Sequence, residues 1–150
     1  MKTIDKYLFQ ALDNYPFWLE GTIESLDYAF SYDPKNTMIL CLYGRIQAEQ
    51  LMNYEDAKSY FQEAQKLIDF ALTIKGINKS DIYVKKAVLL EVQHNFKDAL
   101  KEIKQAKLFT IQHDYDSGIS EVEKRIKGKM DLLKKKKPEK KKKDSKKKSK

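Results

Sequence analysis

A small residue recurs at a fixed interval along this chain, and that recurrence constrains the fold more than any other feature. Ala29 and Ala64 stand 35 residues apart, and so do Ala71 and Ala106. Each lies in a run of apolar residues at helical spacing, and small side chains there let neighbouring helices approach closely. Repetition at this interval reads as helix pairs, each unable to bury its apolar face alone and so stacked on the next. The stretch Asp33 to Ala64 shows the unit best. Two helical runs hinge at Met52-Asn53-Tyr54, are entered through Asp33-Pro34, and end on the pattern Ala57-x-x-x-Phe61-x-x-Ala64.

The residues of that stretch resemble the tetratricopeptide repeat (TPR): Leu42 and Gly44 on the first helix, Tyr54 at the turn, Ala57, Phe61 and Ala64 on the second. The family places Leu and Gly side by side. Here Tyr43 separates them, and the interval from Gly44 to Ala57 is one residue longer, which predicts an extra residue in the hinge. The resemblance, to a small bacterial-type TPR protein with a lysine-rich C-terminal tail, implies an all-α fold. It implies a superhelix of αα-hairpins, about three helix pairs with a C-terminal capping helix. It also implies one class of activity, the holding of another macromolecule, without naming the partner.

Periodicity sets the boundaries. Residues 3–34 form a degraded first repeat, with Ile4, Leu8, Ala11, Leu12 and Tyr15 before Pro16, then Leu19, Ile23, Leu26 and Ala29. Residues 35–75 form the central repeat. Its second helix continues through Ile68, Ala71, Leu72 and Ile74, about two turns beyond the family's usual length, to a left-handed cap at Gly76. Residues 78–113 form the third: Asn78 or Ser80 caps a helix with Ile82, Tyr83, Ala87 and Leu90. The turn His94-Asn95-Phe96 then leads to Ala99, Ile103 and Ala106. A capping helix over 116–133 carries Ile119, Val122, Ile126, Met130 and Leu133 on one side. The repeat domain therefore spans 1–133. The remainder, 134–150, has no apolar residue except Pro138, and its composition predicts disorder.

The net charge of +8 is unevenly spread. Lys134 to Lys150 hold 12 Lys against Glu139 and Asp144, a balance of +10, which leaves residues 1–133 at −2. A chain of 150 residues suits one domain and can bury roughly 70% of its unfolded surface. A single cysteine, Cys41, excludes a disulfide within the chain and a Cys-rich zinc site. The first residues lack an apolar run of signal-peptide length, and no stretch approaches a membrane span. The cytoplasm is the expected location.

No Gly-rich phosphate loop, G-x-S-x-G or H-E-x-x-H pattern occurs. His94 falls in a turn and His113 at a helix end, where solvated histidines are the simpler reading. Cys41 on a paired helix reads as a buried thiol. The carboxylate pairs Glu55-Asp56 and Asp114-Asp116 sit at helix starts, where they favour the positive end of the helix dipole. We expect no enzymatic activity, no catalytic residue, no cofactor and no metal.

The resemblance instead directs attention to a groove lined by the first helix of each repeat. By frame, it comprises Met38, Cys41, Arg45 and Glu49 from the central repeat and Asp81, Val84, Val88 and Glu91 from the third. Arg45 could hold a partner carboxylate by two parallel hydrogen bonds, or pair with Glu49 one turn away. Both readings stand. The basic clamp that some family members use for a C-terminal carboxylate would fall on Cys41, Val84 and Val88, so that specificity is not expected. The many aromatics, including Tyr15, Phe17 and Trp18 around Pro16 and Tyr28, Phe30 and Tyr32 further on, suit either inter-helix packing or a binding hot spot.

The tail residues Lys134, Lys135, Lys136, Lys137, Lys140, Lys141, Lys142 and Lys143 suit loose, salt-sensitive contact with polyanions. No aromatic is interleaved for base stacking, and no lipid anchor accompanies them. A purely solubilising tail is the plainer reading. Function thus reads as a non-catalytic adaptor binding a protein partner in its groove. The alternative is a nucleic-acid- or ribosome-associated protein held by its tail. A weaker alternative is a secretion-type chaperone, which the cationic tail argues against. A homodimer through an exposed Phe61-Ile68-Leu72 stripe stays open.

Overall fold

The computed structural model describes residues 3–110 and 116–147, and all regular structure among them is helical. In chain order the helices are α1 (Thr3–Asn14), α2 (Leu19–Tyr32), α3 (Thr37–Glu49), α4 (Tyr54–Thr73), α5 (Lys79–Val92), α6 (Phe96–Leu108) and α7 (Asp116–Lys147). They fall into two compact units, Met1–Ile77 with α1 to α4 and Asn78–Lys150 with α5 to α7. The division coincides with the boundary between the second and third predicted repeats. His113 and Asp114 lie outside the described residues.

Asparagine starts four of the helices. Asn36, Asn53 and Asn78 each turn a side-chain oxygen to a free backbone N–H of the first turn, at Met38, Asp56 and Asp81 respectively. Such a cap satisfies a donor that has no partner within the helix. Asn78, and not Ser80, is therefore the cap of α5. Asn95 starts α6 without a bond of that kind and instead donates from Nδ2 to Asp98 at 2.8 Å.

The same hinge is built twice. Met52 takes a left-handed conformation (φ 53°) immediately before Asn53, and His94 (φ 61°) immediately before Asn95. Asn53 bonds Asp56 through Nδ2 at 2.6 Å, matching the Asn95–Asp98 bond. Asn53-Tyr54-x-Asp56-Ala57 and Asn95-Phe96-x-Asp98-Ala99 are thus one structural unit in two copies, 42 residues apart. That interval exceeds the predicted 35 by seven, and α4 at 20 residues exceeds α6 at 13 by the same amount. The long second helix of the central repeat is real. It ends earlier than expected: Ile74, in an extended conformation, caps α4, and Gly76 takes its left-handed turn (φ 80°) in the loop beyond.

In the first unit α1 pairs with α2, α3 pairs with α4, and α2 touches α3. The core brings Ala11, Tyr15, Leu26 and Ala29 against Ile39, Leu42, Tyr43 and Ile46. Ala57, Phe61, Ala64 and Ile68 are also buried. With Leu72 half-buried beside Phe61 and Ile68, the stripe Phe61-Ile68-Leu72 is not the exposed one that the sequence left open. In the second unit α5 pairs with α6, and α7 packs on α6 and touches α5. Ala87, Phe96, Ala99, Ile103 and Ala106 meet Ile119 and Ile126 of α7, with Val122 and Met130 alongside. These are four of the five apolar positions predicted for a capping helix; the fifth, Leu133, is exposed. Beyond Leu133 the backbone stays helical through Lys147, where composition predicts disorder.

Candidate functional site

The first helix of the central repeat is almost wholly interior. Ile39 to Gly44 and Ile46 are all buried, so α3 reads as a helix apolar on every side. Of the predicted groove residues on it, Met38, Arg45 and Glu49 are half-buried, whereas Cys41 is only 3% exposed. Cys41 is thus withdrawn from the groove by the packing around it. Burial also pushes its thiol pKa up to about 12, so the nucleophilic thiolate is scarce at neutral pH. Iodoacetamide should leave Cys41 unmodified in the folded protein at pH 8 and alkylate it fully in 6 M guanidinium, as read by intact mass. Rapid labelling of the native chain would mean that α3 opens.

Arg45 sits in a small polar cluster. Its Nε donates to Glu49 Oε2 at 3.0 Å, its guanidinium lies 4.7 Å from the centre of the Tyr15 ring, and the Tyr15 hydroxyl donates to the same Glu49 oxygen. Burial, and then that hydrogen bond to Glu49, raise the Tyr15 pKa. The helical pairing with Glu49 is therefore made, and it uses one donor of the guanidinium. Among the described residues the remaining Arg45 N–H groups form no hydrogen bond, so they can still take a carboxylate. Tyr15 is the member of this cluster that spacing along one helix could not find, since it reaches Glu49 from 34 residues away. In the same core Tyr43 donates to Asp27 and stacks on Tyr60, with ring centroids 5.1 Å apart.

In the second unit Asp81 is exposed and pairs with Lys85 at 2.9 Å, Val84 packs against the core, and Val88 is half-buried. Glu91 departs from the expectation. Its side chain is only 2% exposed, and its carboxylate is gripped by α7: Arg125 donates through Nε (2.8 Å) and Nη2 (2.6 Å), and Lys129 through Nζ (2.7 Å). Glu91 is consequently a fastening point for the capping helix and not a groove residue. Burial pushes its pKa up, but the bonds from Arg125 and Lys129 outweigh it and hold the carboxyl below its usual value. A second fastening lies nearby, where Lys107 of α6 and Lys127 bracket Glu123 and hold its pKa down to about 2.

No family model, curated protein or solved structure matches this chain. The functional reading therefore rests on the residues themselves. His94 is exposed in its hinge, with its ring edge-on to Phe96. Among the described residues no helix is long and apolar enough to cross a membrane. Lys134 and Lys135 are exposed, and the side chains of Lys136, Lys137, Lys140, Lys141, Lys142 and Lys143 lie outside the described residues. The aromatics divide: Tyr15 and Tyr43 belong to the core, whereas Phe17, Trp18, Tyr28 and Tyr32 stand on the surface.

Proposed function

We propose that this chain is a TPR-type helical-repeat module that holds a protein partner, carries out no chemistry of its own and works in the cytoplasm. The observation that carries this reading is the duplicated hinge, Asn53 to Ala57 and Asn95 to Ala99, with buried alanines at the same positions of α4 and α6. Two copies of one hairpin device are what a stacked repeat scaffold is made from. The place on the first unit best suited to a partner is the exposed edge of α3. There Arg45, held in position by Glu49 and the Tyr15 ring, has N–H donors left over, and half-buried Met38 lies on the same helix. A fixed guanidinium beside an apolar contact favours an acidic side chain on a partner segment. A second reading draws on the +10 charge of residues 134–150, which favours nucleic acid or ribosomes.

Capture from host lysate with the full chain, with and without nuclease, beside the Arg45→Gln variant, tests both. One stoichiometric protein kept by the wild type after nuclease and reduced at least about tenfold by R45Q supports the adaptor reading, since a charge-assisted pair of this kind contributes more than 1.4 kcal/mol. Nucleic acid or ribosomal proteins captured equally by both, and lost on nuclease or added salt, would assign the function to the tail.

A further inference from the structure

The exposed side of α2 combines aromatic rings with carboxylates that form no ion pair among the described residues, although Asp27 accepts a hydrogen bond from Tyr43. Helical spacing sets Gly21, Tyr28 and Tyr32 along one line of α2, with Glu20, Glu24 and Asp27 beside it. Trp18 lies directly over Gly21, where an added Cβ would come within 2.5 Å of its ring. Tyr28 and Tyr32 both stack on Tyr7 of α1, with centroids 5.2 Å and 6.3 Å apart. Trp18, Tyr28 and Tyr32 remain 56%, 51% and 63% exposed. A lysine already uses this platform, with Lys6 Nζ 5.9 Å from the Tyr7 ring centre.

Between Lys6 and Lys35 the chain has five carboxylates, Asp13, Glu20, Glu24, Asp27 and Asp33, and no Lys, Arg or His. Among the described residues none of the five forms an ion pair, although Glu49 and Glu63 of the same unit do. Such a surface is complementary to a lysine-rich segment. The aliphatic stems of lysine can lie on the rings, while the ammonium groups reach ring faces and carboxylates. The chain itself contains one, Lys134 to Lys150, at +10. Among the described residues Met130 is the last α7 side chain packed on the core of its unit, and the helix continues to Lys147. Over Lys134 to Lys147 the helical backbone rises about 20 Å, long enough to lay several lysines along one face of a partner.

We propose that the aromatic and acidic face of α2 docks the lysine-rich segment of a second copy of this chain. The contact is head-to-tail, using two different surfaces, and is separate from the Arg45 edge. Two full-length variants test it: Glu20→Lys with Glu24→Lys on the face, and Lys134 to Lys137 with Lys140 to Lys143 all changed to Gln on the tail. At low ionic strength the wild type should self-associate in sedimentation, and its affinity should fall at least about tenfold in 0.3 M salt. Each variant alone should sediment as a monomer. Their equimolar mixture should form a one-to-one complex, because one supplies an intact tail and the other an intact face. A peptide of residues 134–150 added to the wild-type chain should alter the emission of Trp18, the single tryptophan. A wild type that stays monomeric at all concentrations, a mixture without complex, or Trp18 emission unmoved by the peptide would each overturn the proposal.

Discussion

Replacing Arg125 and Lys129 together by alanine is expected to destabilise the second unit by about 3 kcal/mol at neutral pH, a cost that shrinks on acidification. The double change leaves the Glu91 carboxylate in place but removes both cations that approach within 2.8 Å of it. A buried charge without a partner is among the most destabilising defects a folded protein can carry. The penalty stays near the low end of the usual range because the carboxyl can escape it by taking up a proton. In the wild type the folded pKa of Glu91 lies below its unfolded value. Its contribution to stability is therefore present above the unfolded pKa and is lost as pH falls through the folded one. In the variant only burial remains, which raises the folded pKa above the unfolded value. The penalty then applies at high pH and is relieved as pH falls through that raised value. Urea denaturation followed by circular dichroism at pH 7, 5 and 4 should show the stability gap between wild type and variant narrowing towards acid. A gap of constant size would mean that Glu91 reaches water when α7 loosens and is not held in the interior.

Much of the helical framework was legible because it depends on local spacing. The apolar positions of α1, α2, α4 and α6, and the capping stripe Ile119, Val122, Ile126 and Met130, follow one helical face each and need no knowledge of the partner helix. The extra turns of α4 were legible for the same reason, since Ala57, Ala64 and Ala71 repeat at seven. The duplicated hinge was also present in the sequence, as two runs of Asn-aromatic-x-Asp-Ala. It is visible only when the two turns are aligned at 42 residues and not at the repeat's 35. What escaped was every contact between residues far apart in the chain. Frame counting places Glu91 on an inward helix face, but Arg125 lies 34 residues further on and its pairing leaves no local trace. Tyr15 and Glu49 are separated by the same distance. Cys41 shows another limit of frame counting: burial along nearly all of α3 removes it from any surface.

Gly44→Ala is expected to destabilise the first unit by about 2 kcal/mol, despite the better intrinsic helix propensity of alanine. At Gly44 α3 approaches α4 closely. A Cβ there would stand 2.4 Å from Cε1 of Phe61, 2.7 Å from Cδ1 and 2.9 Å from Cζ. The obstacle is a ring only 8% exposed, so it cannot swing clear into water. Either the ring leaves its rotamer or the two helices part, and parting them would open contacts around Ala57 and Ala64. On an exposed helix the same substitution would stabilise by up to about 1 kcal/mol, so the sign of the effect reports the close approach itself. A double-mutant cycle isolates the cause. Phe61→Leu shortens the obstructing side chain, and G44A/F61L should be less destabilised than the sum of the single variants by about 1 kcal/mol or more. Thermal melts of the four proteins supply the cycle. Strict additivity would locate the damage elsewhere in α3, and a G44A protein as stable as the wild type would mean that the α3–α4 interface yields at little cost. In that event the hairpin would be too loose to hold Arg45 rigidly beside Tyr15, and the preorganised guanidinium on which the partner-binding reading depends would be lost with it.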